Sequence, residues 1–402
     1  MRMFCGLMRQ VRSHVAGSAF VAFGFAVAMM GTTLPTPLYP LYNHAFDLAP
    51  VLTPIIFATY ALGVVATLLF FGYLSDEIGR RPMMAAALIL SAASAVTFLL
   101  AGGLAALLVG RVLSGLSAGI ASGTATAWLV DLARGRDKRH ATLIAVAANI
   151  GGLALGPLVA GVLAGVAPSP LRLPFVVDLA LLAPALLGVL VAPETVAVND
   201  RRIKLRVQNM RVPAEVADIF PPAAVVGVCA FAVAGVFSAV APEFLGNELG
   251  DRSPVRAGLL VFVFFAMSAS GQLTVNRIPK RIGLVAGCVV LLAGLGLLAA
   301  ALAIRSTALL FVSAAVSGLG QGLPVGFGLA AINDKVGNKR GETDSAYFVL
   351  LYCGVALPVV GVGFVALAVG MVTAGLMFCG IVGVCVLGVL HALRRQSVRQ
   401  LP

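Results

Sequence analysis

The chain has 402 residues, of which 60% are hydrophobic and only 11% charged, and its formal net charge is +12. A soluble domain of this length needs a charged surface, and too little charge is present to make one, which excludes the ordinary soluble classes. The mean hydropathy of +1.02 points the same way.

A helix crossing the hydrocarbon core needs about 20 mostly apolar residues. Twelve stretches meet that need, near 16–38, 51–74, 83–102, 104–130, 141–166, 172–193, 222–246, 255–276, 283–304, 308–332, 345–368 and 371–391. Alternate links carry most of the basic residues, among them Arg80 and Arg81, Arg134 to Arg139, 201–211, Arg277 to Arg281, Lys335 to Arg340, and Arg394 to Arg399. The opposite links hold only Arg172, Arg252, Arg256 and Arg305. By the positive-inside rule the basic side is cytoplasmic, so both termini are expected there. The basicity then reports orientation, and no nucleic-acid partner is needed to explain it.

The first span ends in Leu34-Pro35-Thr36-Pro37-Leu38-Tyr39-Pro40, whose prolines interrupt the helix. Thr32, Thr33, Tyr39 and Tyr42 supply hydroxyls there, with interfacial anchoring the default role of the tyrosines and substrate contact the alternative. Between the second and third spans runs Gly72-Tyr-Leu-Ser-Asp76-Glu-Ile-Gly79-Arg80-Arg81-Pro, whose charges demand a tight turn at the membrane face. Gly72 lets another helix approach closely, and Gly79 permits the turn. Asp76 is placed to pair with Arg80 or to sit at a helix N-terminus, where the dipole favours an anion.

Arg111 lies about two turns into the fourth span, where an unpaired charge costs several kcal/mol and marks a cavity or pathway. The competing reading is an arginine snorkelling to the interface. Ser114 follows it, and Asp131 ends the span. In the fifth span, Gly152, Gly156, Pro157 and Gly161 combine small-residue packing with a lost backbone hydrogen bond. Further polar residues are Asp178 in the sixth span, Glu243 at the outer end of the seventh, and Gln321 in the tenth. For Gln321 the alternatives are a cavity position and an interhelical hydrogen bond. Low polar content, with Phe23, Met29, Met30, Trp128, Phe231 and Phe237 on the candidate walls, suits a mostly apolar substrate.

The longest polar link, Glu194 to Pro221, falls mid-chain, giving halves 1–193 and 222–402 joined by 194–221. The halves resemble each other about half a chain length apart. Ser114-Gly115-Leu116 with Gly119 recurs as Ser317-Gly318-Leu319 with Gly322. Gly152-Leu-Ala-Leu, followed closely by Pro157, recurs as Gly354-Val-Ala-Leu-Pro358, and Gly72-x-Leu74 recurs as Gly271-x-Leu273. Such duplication underlies alternating-access carriers, with substrate held near the midplane between the repeats.

The turn around Asp76 resembles the signature between helices two and three of the major facilitator superfamily, usually Gly-x-Leu-x-Asp-Arg-x-Gly-Arg-Arg. Gly72, Leu74, Asp76, Gly79, Arg80 and Arg81 match it, and Glu77 departs. The segment around Arg111 resembles the family's fourth-helix motif, with Ser114 in place of a glutamine, and Gly152–Gly161 resembles the fifth-helix motif of its proton antiporters. The resemblance implies an all-α membrane protein of twelve transmembrane helices in two pseudo-symmetric six-helix bundles. It implies that Asp131 and Glu342 or Asp344 complete a charge network with the turn, latching the halves in the outward-facing state; the alternative is an ordinary solvated loop. It also implies a role for Arg111 in proton coupling or anion attraction. The first span lacks the acidic residue that many such antiporters carry, which leaves Asp178 and Glu243 as proton-site candidates.

No nucleophile–base pair, metal cluster or phosphate-binding loop is visible, so an enzyme, a metal and a cofactor are not expected. The expected function is proton-coupled efflux of small amphipathic or hydrophobic molecules across a bacterial inner membrane, by a monomer whose partners are substrate, protons and lipid. The alternative is import of a sugar, organic acid or other metabolite on the same scaffold, since fold does not fix direction.

Overall fold

The computed structural model describes residues 2–71, 73–133, 138–166, 168–196, 210, 212–275, 277–336 and 340–398, with the backbone alone for 2–14, 281, 340 and 396–398. Among the described residues twelve helices are long and apolar enough to span: Val15–Ala45, Leu52–Phe70, Arg80–Leu99, Leu104–Leu132, Lys138–Val166, Leu173–Val191, Phe220–Asn247, Pro254–Leu273, Ile282–Ile304, Thr307–Lys335, Gly341–Val369 and Met371–Arg395. Within a bilayer every backbone donor and acceptor must be satisfied internally, and the helix does this. Two starts are capped locally: Ser253 Oγ accepts from the Arg256 amide and Ser306 Oγ from that of Leu309.

Two spans are interrupted. The first runs helically to Thr33, passes through a 3₁₀ turn at Thr36–Leu38, and resumes as a helix over Tyr39–Ala45. Pro35, Pro37 and Pro40 account for this, because each lacks an amide proton. The seventh span widens into a π turn at Val236–Val240 just before Pro242. A proline ring clashes with the carbonyl four residues earlier, and shifting the preceding turn to a wider register relieves that clash.

The halves pack alike. The first pairs span one with five, two with four, three with four and three with six; the second pairs seven with eleven, eight with ten, nine with ten and nine with twelve. The recurring glycines make these pairings. A Cβ on Gly115 would fall 2.0 Å from the Tyr60 carbonyl oxygen, and one on Gly318 would fall 2.1 Å from that of Phe264. Gly322 lies as tightly against Ser268, and Gly119 against the Thr67 side chain.

Between the halves the contacts are uneven along the membrane normal. One apolar core joins Leu34, Leu38, Tyr39, Phe57, Phe98 and Ala164 of the first half to Phe237, Phe244, Leu260 and Phe264 of the second, all away from the basic links. The buried members of the other core, including Phe25, Met84, Ala125, Trp128 and Leu182, come from the first half alone and lie toward the basic links. The seam is closest where spans five and eight cross. A Cβ on Gly161 would lie 2.4 Å from the Pro254 carbonyl oxygen, and one on Gly258 would lie 2.2 Å from that of Pro157. The fifth helix runs on through Pro157, while Gly152 and Gly156 abut the first span at the Ala26 and Met30 carbonyls.

Candidate functional site

At the basic end, Arg80 opens the third span and is 8% exposed. Its guanidinium reaches Asp76 at 2.6 Å, Ser75 Oγ at 2.6 Å and Asp131 at 3.2 Å, tying the short helix Leu74–Glu77 to the end of the fourth span. Gly79 precedes it with φ of 111°, a conformation that only glycine adopts readily. Arg81 donates to the Ala192 carbonyl at 2.7 Å.

Glu194, which opens the mid-chain link, completes this corner, and the sequence reading gave it no role here. Its carboxylate accepts the amides of Arg80 at 3.0 Å, Arg81 at 2.8 Å, Thr195 at 2.9 Å and Val196 at 3.2 Å. It thus caps the third span from 114 residues away in sequence. Burial alone would raise this carboxyl, but the amides of Arg81, Val196, Arg80 and Thr195 together outweigh it and hold the group below the usual carboxylate range. The Pro-Glu-Thr step directly after a span was the available signal.

The second half carries the counterpart. Lys280, at the start of the ninth span, pairs with Asp334 near the end of the tenth, as Arg80 pairs with Asp131. Lys335 pairs with Asp218 at 3.0 Å.

The cross-half latch, expected of the outward-facing state, is not among these pairs. Asp76–Arg80 and Arg80–Asp131 lie within the first half, Arg256–Asp251, Lys280–Asp334 and Arg305–Glu248 within the second, and Lys335 of the second half pairs with Asp218 of the mid-chain link. Asp76 has a side chain 65% exposed and pairs with Arg80 of its own half. Asp344 accepts from Asn333 at 3.5 Å within the second half, and Glu342, on the first turn of the eleventh helix, joins none of these pairs. Gly72 lies outside the described residues. Arg80 is instead held by Ser75, Asp76 and Asp131 of its own bundle.

Arg111 is 1% exposed and does not snorkel. Its Nη1 donates to the Thr32 carbonyl at 2.6 Å, at the interruption of the first span, while Nε and Nη2 find no acceptor. Its guanidinium carbon lies 5.2 Å from the Tyr39 ring centroid, 5.6 Å from Phe57 and 5.9 Å from Tyr60. Such rings return about 0.5–2 kcal/mol each to a desolvated cation, which offsets its burial only in part. The Tyr39 and Tyr42 hydroxyls, Thr36 Oγ1 and Asn43 Oδ1 are also buried without partners. Both tyrosines are 1% exposed, so they belong to the core rather than the interface.

The remaining candidates scatter. Ser114 bonds back to the Arg111 carbonyl at 3.0 Å. Gln321 is bonded to Ser268 across spans eight and ten, which realises the interhelical alternative. Glu243 is 5% exposed, just beyond the π turn. Asp178 is 1% exposed on the sixth span, with Oδ1 unpartnered. Of the expected cavity walls, Trp128 is fully buried and donates to the Pro193 carbonyl at 3.0 Å, and Phe237 is fully buried against Phe264. Met29 and Met30 are buried as well, whereas Phe23 is 41% exposed. Phe231 packs edge-on to Tyr352, which in turn meets Tyr60 of the other half.

Twelve spans in two matched halves, fused at one end and holding a buried cation near their interface, define a membrane carrier rather than an enzyme. A model of the Major Facilitator Superfamily matches residues 21–357, and the chain belongs to that superfamily. Among curated relatives, Multidrug resistance protein 2 of Bacillus subtilis (strain 168) is 26% identical over 176 residues, 44% of this chain and 43% of that protein. The putative multidrug resistance protein MdtD of Salmonella typhi is 30% identical over 145 residues, 36% and 30% of the two chains. The quinolone resistance protein NorA of Staphylococcus aureus is 27% identical over 153 residues, 38% and 39%. The matches thus span less than half the length of these relatives. In fold, the chain is similar to the human organic anion transporter MFSD10 (TETRAN), with TM-score 0.68, 17% identity, and coverage of 94% and 99%. A bacterial homologue of the human lysosomal transporter Spinster gives TM-score 0.70, 13% identity, and coverage of 95% and 97%.

Proposed function

We propose that the protein is a proton-driven exporter of small amphipathic or hydrophobic molecules that works by alternating access in a bacterial inner membrane. The observation that carries this reading is the uneven seam: one apolar core binds the halves away from the basic links, and none of the described ion pairs bridges them at the basic end. With the basic end cytoplasmic, this is the state in which a chamber loads from the cytoplasm. Residues 1–193 and 222–402 then rock as two bodies joined by 194–221, and closure brings Asp76, Arg80 and Asp131 toward Glu342 and Asp344 as the inner latch. Arg111, ringed by aromatics, is the charged group of the chamber. The multidrug and quinolone resistance proteins among the relatives, together with Gly152, Gly156, Pro157 and Gly161, support export.

The buried hydroxyls of Thr36, Tyr39 and Tyr42 favour a second reading, import of a hydrogen-bonding metabolite. Everted vesicles with an acidified lumen separate the two. Adding ethidium or a fluoroquinolone should raise luminal pH while the compound accumulates, and Arg111→Ala should abolish both. Proton movement with sugars or organic acids alone would replace export by import. No flux with either panel would remove the transport assignment.

A further inference from the structure

Five cysteines are described with their side chains, and all are free thiols. Three of them gather in the second half, where spans seven, nine and twelve pack together. Cys229 of span seven and Cys288 of span nine are buried, whereas Cys385 of span twelve is exposed. The thiol of Cys229 is within side-chain hydrogen-bonding reach of that of Cys385, while Cys288 acts on it through electrostatics alone.

A buried cysteine is by default a small packing residue, and Cys288 fits that description. Cys385 does not. Ile381, Val384 and Leu387, one turn or less away on the same helix, are all exposed, which makes this the lipid-facing side of span twelve. Cys229 stands about 14 Å from the basic end of its span and Cys385 about 15 Å from the basic end of its own, at 1.5 Å per residue. In a hydrocarbon core about 30 Å thick, both lie near the midplane. The two residues thus form a dithiol with one sulfur open to the bilayer interior, at a depth where charged cytosolic thiols do not dissolve. What meets it there is a redox carrier soluble in lipid.

We propose that Cys229 and Cys385 form a redox switch, closed to a disulfide by a membrane-dissolved quinone and reopened by a membrane-permeant dithiol. On closing, both S–H bonds break and one S–S bond forms; the two electrons and two protons pass to the quinone, which leaves as the hydroquinone. On reopening, the dithiol returns two electrons and two protons and leaves as its own disulfide. Bonded sulfurs are about 2.05 Å apart, well inside the contact distance of two thiols, so closure draws span twelve and the inner stretch of span seven together. That stretch reaches the seam between the halves. Phe231 packs edge-on to Tyr352, which meets Tyr60 of the first half, and the π turn at Val236–Val240 begins about two turns beyond Cys229. The disulfide tethers span seven beside both features and slows the rocking of one half against the other.

The test uses the full-length protein in proteoliposomes treated with decylubiquinone, whose ring offers no free carbon for thiol addition. Non-reducing peptide maps should recover Cys229 linked to Cys385, and ethidium exchange should fall several-fold and return with dithiothreitol. Cys385→Ala and Cys229→Ala should each abolish both the link and the loss of exchange. Cys353→Ala, at the other exposed cysteine, should leave both in place. Should Cys229→Ala fail to fold, Cys385→Ala, at an exposed position, decides. Absence of the link, a link from Cys229 to Cys288 instead, or a Cys229–Cys385 link that leaves exchange unchanged overturns the switch. Untreated wild type that moves no ethidium counts against the export reading instead, and the peptide map still decides whether the pair closes.

Discussion

The crossing of spans five and eight lends itself to a quantitative test. Gly258→Ala places a Cβ 2.2 Å from the Pro157 carbonyl oxygen and 3.1 Å from Gly161 Cα. Both are backbone atoms, so no side chain can swing aside. Restoring the 3.4 Å of ordinary contact needs a retreat from 2.2 to 3.4 Å, or about 1.2 Å, at the tightest point of the seam. A gap of 0.5–1 Å already forfeits roughly a quarter to a half of each dispersion well lining it. Overpacking of this kind costs about 1–3 kcal/mol. Because the contact joins the two halves, the cost falls on the conformer closed at this end, and its population relative to the alternative drops by about 5- to 150-fold. Spin labels replacing Leu100 and Ile304, which are exposed on the two halves at this end, would report the change by electron–electron double resonance in a background lacking native cysteines. Gly151→Ala, with nothing within 4 Å of the new methyl, is the control and should leave the distances alone. Unchanged distance distributions and transport in folded Gly258→Ala would refute the argument that this contact holds the halves together.

Three further outcomes concern the basic-end corner. Arg80→Ala removes a buried guanidinium bonded to Asp76, Ser75 and Asp131, and should cost about 3 kcal/mol in thermal unfolding. Asp76→Asn touches an exposed partner and should cost at most about 1 kcal/mol, yet cripple transport if the carboxylate is needed when the basic ends close; near-normal flux would remove the latch. Glu194→Gln tests the remote cap. The folded carboxyl lies below its unfolded value, so its stabilisation is present above about pH 4.3 and is lost as pH falls further. Melting temperature should therefore drop between pH 6 and pH 3 by more in wild type than in Glu194→Gln, and parallel curves would count against the cap.

What could be read from the chain reflects what a one-dimensional pattern holds. Span positions were legible because each crossing is a long apolar run, and the depth of Arg111 followed from counting residues into its span. The repeated glycines of spans four and ten announced the close crossings seen at Tyr60 and Phe264. Spans apolar all round carry little periodicity to tell the buried face from the lipid face. The burial of Tyr39 and Tyr42, the pairing of Gln321 with Ser268 and the close contact of Asp178 with Gly31 were therefore not visible. The Glu194 cap and the Lys280–Asp334 pair depend on how helix ends meet across long sequence separations.

The sequence alone determined a twelve-span, twice-repeated membrane carrier, with Arg111 at depth and charged turns at one face, because bilayer thickness and desolvation cost act on each segment separately. Only the tertiary structure decided which partners those charges take. Arg80 turns to Asp76 and Asp131 of its own half, Arg111 to the Thr32 carbonyl, and Asp178 packs against Gly31 of the first span. Those choices depend on helix rotation and on which ends of the halves are joined, and neither is set by any single segment.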